Sequence, residues 1–195
     1  MSERQDTLQQ YVSDMLAVER HLLPAIEDQN KDDRYGKHPE AQRVVQRIET
    51  TVRNHINGLE KHLKSLGGDP ASPIKSAVTA VLGVAATLIE KVRTDPVSKN
   101  LRDDFTVLSL AAVSYTMLHT TGQALRDQGT ADLAADYLGD YTPLLTDINE
   151  AIPDVVVSEL HDETEVLDPG AAERARERTQ QAWQHEHVHN GHSHS

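Results

Sequence analysis

One carboxylate and two imidazoles stand where a helical repeat turns its residues inward. Leu8, Val12, Met15, Glu19, Leu22 and Ile26 recur at steps of four and three, which places Glu19 in the middle of an apolar seam. Ala41, Val45, Ile48, Val52, His55, Leu59, His62 and Leu66 form a second seam, widened by Val44, Ile56 and Leu63. A third, Leu101, Phe105, Leu108, Ala112, Tyr115, His119 and Gly122, carries another histidine. Glu19, His55 and His119 are therefore an inward-facing set of the kind from which metal sites in helical bundles are built. Carboxylate oxygen with imidazole nitrogen suits zinc, iron or manganese. In the plainer alternative Glu19 hydrogen-bonds a His or Tyr115 and no metal is involved. Either way a buried carboxylate demands a partner, because leaving it unpaired costs several kcal/mol.

Other candidates are weaker. His62 falls at the rim after a small helix rotation, and His21 and Glu60 lie off the seams, where solvation is expected. Asp147 and Glu150 have the spacing of an acidic step on a last bundle helix but sit off the face of Leu144, Ile148 and Ile152, unless a kink at Pro143 re-aims them. The end of the chain, HEHVHNGHSHS, offers His185, His187, His189, His192 and His194. Several imidazoles on a tail expected to be disordered can capture zinc, nickel or copper without a preformed site, which is preferred to reading it as a purification remnant. No glycine-rich phosphate loop follows a strand, and no nucleophile elbow, HExxH or paired CxxC occurs.

The elements that must position these residues are all helical. The first helix is expected over about residues 3–29, ending in QNKDDRYGKHPE, where Asp32, Asp33, Gly36 and Pro39 supply turn chemistry. The second covers 41–66 and stops at Gly67 and Gly68, which take the left-handed cap conformation. The third, IKSAVTAVLGVAATLIEKV, is apolar or small nearly all round and reads as buried; its run is short of the ~20 residues that span a bilayer. A symmetric dimer through Val78, Leu82, Ala85 and Ile89 would cover it; the alternative is that it packs across the other four helices within one chain. The fourth spans about 98–128, with Gly129 as its cap and Thr130 opening the fifth, in which Pro143 is expected to kink or break the helix and Pro153 to disturb it further. Beyond about residue 160 apolar residues thin out, so residues 1–160 are expected to be a bundle domain. Residues 161–195 are expected to form a polar helix from Asp168-Pro169 to Trp183 and then a His-rich tail.

Composition agrees with this class and excludes others. The 195 residues are 37% hydrophobic and only 4% aromatic, so the core is Leu, Val, Ile and Ala, which favours packed helices. The net charge of −12 opposes nucleic acid and anionic lipid. There is no cysteine, which excludes disulfides and thiolate chemistry, and the polar N-terminus MSERQDTLQQ points to the cytoplasm.

Three stretches, LQQYVSDMLAVERHLLPAIEDQ, ETTVRNHINGLEKHLKSLGG and LSLAAVSYTMLHTTGQALRDQGTADLAADYL, resemble the ferritin-like superfamily and, within it, bacterial YciE/YciF-type stress proteins. The resemblance covers roughly residues 5–160. It implies a ferritin-like antiparallel bundle, dimeric and linked to stress responses, in which a first-helix glutamate and an ExxH step on the second helix bind a di-iron centre with later carboxylates. Glu19 matches that glutamate and His55 that histidine. Val52 stands three before His55 and Thr116 three before His119, so the bridging glutamates are missing and ferroxidase chemistry is not expected. The reading is an all-α scaffold or binding protein, with no enzyme activity, nucleic acid or membrane partner. Its alternative is a metal-binding ferritin-like protein, an iron or zinc store or an oxidoreductase, using Glu19, His55 and His119.

Overall fold

A computed structural model of the protein describes residues 3–71 and 96–184. Helix α1 is Glu3–Asn30, α2 Pro39–Ser65, α3 Val97–Ala124, α4 Gln128–Glu163 and α5 Ala171–Gln184, with a 3-10 turn at Asp33–Lys37 between the first two. Among the described residues there is no strand, and the fold is an all-α helical bundle. The apolar 74–92 segment with its dimer contacts, and the tail histidines, lie outside the described residues.

Side-chain pairings give the arrangement. Asn30 reaches Glu49, Arg20 pairs with Glu60, and Gln5 and Gln9 both donate to the Leu66 carbonyl, so α1 and α2 run antiparallel. Ser98 meets Glu159 and His119 meets Ala131, which makes α3 and α4 antiparallel as well. Across these two hairpins, Glu19 meets Tyr115 and Gln29 meets Asp104, while Arg47 pairs with Asp147 and His62 with Thr130. The circuit is therefore α1, α2, α4, α3, each antiparallel to its neighbours. It follows that α2 and α3 run parallel across the diagonal, with the end of α2 and the start of α3 at opposite ends of the bundle.

The expected seams form the core. Val12, Ile48, Val52, Leu59, Leu101, Leu108, Leu118, Leu144 and Ile148 are at most 2% exposed, and each such side chain contributes about 1.5–3 kcal/mol relative to solvent. Helix α2 ends in a Schellman cap: Gly67 adopts φ +81 and the Gly68 N–H donates to the Leu63 carbonyl at 2.9 Å.

Two details depart from expectation. The α3–α4 turn comes earlier than Gly129: Arg126 takes the left-handed conformation at φ 54, and the Asp127 side chain caps α4 by accepting from the Thr130 N–H. Helix α4 then runs unbroken through Pro143 and Pro153. Proline removes one hydrogen-bond donor, and the packing of Tyr141, Leu144, Ile148 and Val155 into the core holds the helix together around each loss. Close approach of α3 to α4 depends on Gly122, where a methyl group would lie 2.6 Å from the Ala131 nitrogen.

Candidate functional site

Glu19 is fully buried, and its seam places it at the centre of the four-helix circuit. Three side chains from the other three helices converge on its carboxylate. The Tyr115 hydroxyl on α3 donates to Oε1 and the Tyr141 hydroxyl on α4 to Oε2, both at 2.5 Å. His55 on α2 brings Nδ1 to 3.1 Å from Oε1. The two phenol bonds are short and charge-assisted, a type about twice as strong as neutral ones. They supply the partner that a buried carboxylate requires.

His55 is also fully buried, and its other nitrogen, Nε2, lies 3.2 Å from Oδ2 of Asp140, whose side chain is 60% exposed. With a carboxylate at each ring nitrogen, an imidazolium can donate at both while a neutral ring donates at one. The ring is held flat: Tyr137 stacks on it with centroids 3.9 Å apart and planes 9° from parallel, while Tyr115 and Tyr141 meet it edge-on. Gly58, one turn beyond His55 on α2, makes that stacking possible, since a methyl there would overlap the Tyr137 hydroxyl. Burial, followed by the charge of Glu19, holds the Tyr115 and Tyr141 hydroxyls well above the usual phenol range, so both stay protonated donors. Tyr137 is pushed upward by the same causes.

Of the three metal candidates, the fold brings Glu19 and His55 together and leaves His119 elsewhere. The His119 Nδ1 donates to the Ala131 carbonyl at 2.8 Å, securing the α3–α4 contact. His62 is half-buried with Nε2 2.7 Å from the Thr130 hydroxyl, and burial lowers its pKa. Asp147 and Glu150 line a surface cleft of about 450 Å³ with Arg43, Arg47, Asp154 and Arg176, apart from the Glu19 network; Asp147 pairs with Arg47 and Glu150 accepts from Gln180. A metal centre needs donors that converge on one point. His55 instead stands between its two carboxylates, and both Glu19 oxygens face phenols. Among the described residues no group of three or more imidazole and carboxylate side chains is placed to hold a metal ion. The donor set does not fit a preformed metal centre.

No family model, curated protein or solved structure matches the chain. The sequence pointed to Glu19, His55 and Tyr115 but not to the roles of Tyr137, Tyr141 and Asp140. The available signal was the four-residue spacing of Tyr137 and Tyr141, which reads equally well as ordinary core.

A second buried polar chain lies further along α1. Tyr35 in the 3-10 turn donates to Gln29 Oε1 at 2.8 Å, and Gln29 Nε2 donates to Asp104 Oδ1 at 2.8 Å. Burial pushes Asp104 up to about 7, with the Gln29 bond opposing and the neighbouring Asp103 charge adding to it. Its Oδ2 is buried without a hydrogen-bond partner among the described residues.

Proposed function

We propose that the protein is a non-enzymatic helical scaffold or binding protein of ferritin-like descent, associated with bacterial stress physiology, whose ancestral metal position serves as a polar structural core. The observation that carries this is the engagement of both Glu19 oxygens: phenols from two helices and an imidazole from a third meet them. The parallel placement of α2 and α3, with the end of one and the start of the other at opposite ends of the bundle, supports the descent, since the one long crossover of ferritin-like bundles joins helices so related. A buried network of this kind also specifies helix register, since each hairpin must present its partner at the right height.

Elemental analysis of chelator-treated protein, with and without residues 185–195, tests the reading. The shortened chain is expected to carry no stoichiometric metal, and any metal on the intact chain should leave with the tail. Metal retained by the core at one or two equivalents would overturn the proposal. Self-association belongs to the same reading, and sedimentation equilibrium on the metal-free shortened chain checks it: a dimer is expected, and a monomer would remove that element.

A further inference from the structure

The chain's five tyrosines differ in what can receive the hydroxyl proton. Tyr35 donates to the Gln29 amide oxygen, which is not a base at neutral pH. Tyr11 lies at the surface, 37% exposed. Tyr115 and Tyr141 donate at 2.5 Å to the two oxygens of one buried carboxylate. No cysteine competes as an electron donor, and the one tryptophan, Trp183, is 58% exposed on α5. Half-buried Tyr137 meets Tyr115 edge-on with centroids 5.6 Å apart, and Tyr115 lies 5.8 Å from Tyr141. The three rings thus form a continuous aromatic path from the partly exposed edge of the cluster to its centre.

We propose that Tyr115, Tyr141 and Glu19 form a one-electron donor site for small diffusible one-electron oxidants, reached through the Tyr137 ring. In the step, one phenol loses an electron to the oxidant and its O–H bond breaks as the proton passes to the Glu19 oxygen already accepting that hydrogen bond. A neutral tyrosyl radical and a protonated Glu19 result, and the oxidant is reduced by one electron. A thiol or ascorbate-type reductant in solution returns the electron, and the proton moves back from Glu19 to the phenolate oxygen. Proton and electron must move together, because burial and the Glu19 charge make prior loss of the phenol proton unfavourable. One carboxylate serves two phenols, so the site holds one oxidising equivalent at a time. Burial keeps the radical from meeting a second radical, and the net charge of −12 draws cationic oxidants to the surface.

The inference rests on the same hydrogen bonds as the scaffold reading, but the two fail separately: core-bound metal overturns the scaffold, while only radical chemistry decides this site. The test is flash generation of tris(bipyridine)ruthenium(III) with the full chain, followed by electron paramagnetic resonance and transient absorbance. A Tyr11→Phe/Trp183→Phe double variant removes the surface donors and leaves the cluster intact. It is expected to keep a tyrosyl signal living at least about tenfold longer than that of free tyrosine, and Tyr35→Phe is expected to leave the signal unchanged. Glu19→Gln should lower the radical yield by about tenfold or more, or about 1.4 kcal/mol in barrier. Loss of the signal with the surface donors, or an unchanged yield in a folded Glu19→Gln protein, would overturn the proposal. Should Glu19→Gln fail to fold, the wild-type oxidation rate in deuterium oxide decides instead: slowing supports coupled proton transfer, and an unchanged rate refutes it.

Discussion

Asp104→Asn should make the protein more stable at neutral and alkaline pH and remove a pH dependence that the wild type carries. In the folded chain the Asp104 carboxyl is pushed from an ordinary 3.8 to about 7, chiefly by burial. The folded state therefore binds this proton more tightly than the unfolded state. Stability from this group is intact below about pH 4, falls as pH rises from about 4 to 7, and is constant above. At 1.36 kcal/mol per pKa unit, the shift of about three units corresponds to about 4 kcal/mol, which is a large share of a typical domain's stability. Asparagine keeps an oxygen for Gln29 Nε2 but places an amide N–H where Oδ2 has no partner among the described residues. That donor costs about 1–3 kcal/mol, leaving a net gain of about 1–3 kcal/mol above pH 7. Urea denaturation of both proteins at a series of pH values from 4 to 8 measures the difference. Groups common to both cancel in it: Asp14, raised by burial, and Asp32 and Glu49, lowered by hydrogen bonds from Arg34 and Arg53. A difference that does not change across this range would show that Asp104 is not a buried, proton-binding carboxyl, and the reasoning would fail.

Three further outcomes are expected. Glu19→Gln should cost no more than about 2 kcal/mol, because the amide offers both an acceptor and a donor to hydroxyls that can rotate, whereas Glu19→Leu strands two phenols and an imidazole at about 1–3 kcal/mol each; equal urea midpoints for the two variants would contradict the hydrogen-bonded core. Gly122→Ala should destabilise by about 1–3 kcal/mol, since the added methyl meets Ala131 backbone and not a movable side-chain tip, and a thermal melt unchanged from wild type would show that α3 and α4 sit further apart. Gly58→Ala should be nearly neutral in stability, gaining about 1 kcal/mol of helix propensity against lost stacking, while nuclear magnetic resonance shows the His55 ring protons shifting as Tyr137 is displaced.

The helices were legible in the sequence because their signal is periodic and local. Ile48, Val52, His55 and Leu59 face the core where steps of three and four put them, and Gly67 ends α2 by a backbone conformation that glycine readily adopts. Glu19 and His55 could be placed together because each interrupts an apolar seam near its middle. Relative helix order is a tertiary property, so the sequence could not show that His119 would face the α3–α4 contact and Tyr141 would reach Glu19 across the diagonal. The turn before α4 misled for a different reason. Asp127 and Gly129 are both good turn residues, and the aspartate side-chain cap decided the boundary. Proline in α4 misled because local propensity was overridden by a buried stripe on both sides of it.

The separation along the chain between Glu19 and its partners bears on the order of folding. His55 lies 36 residues from Glu19, whereas Tyr115 and Tyr141 lie 96 and 122 residues away. The α1–α2 and α3–α4 hairpins close mainly through nearer contacts, so loop-closure entropy favours forming each before the two associate. Until they do, the carboxylate has only its imidazole and must remain hydrated, and the two phenols remain on the other hairpin. Docking in the correct register brings both hydroxyls to Glu19 at once, whereas a slip of one helical turn, about 5.4 Å, would bury a charge with its donors out of reach. The network thus acts as a proofreading step in assembly, discriminating between registers that a uniform Leu and Val interface would tolerate.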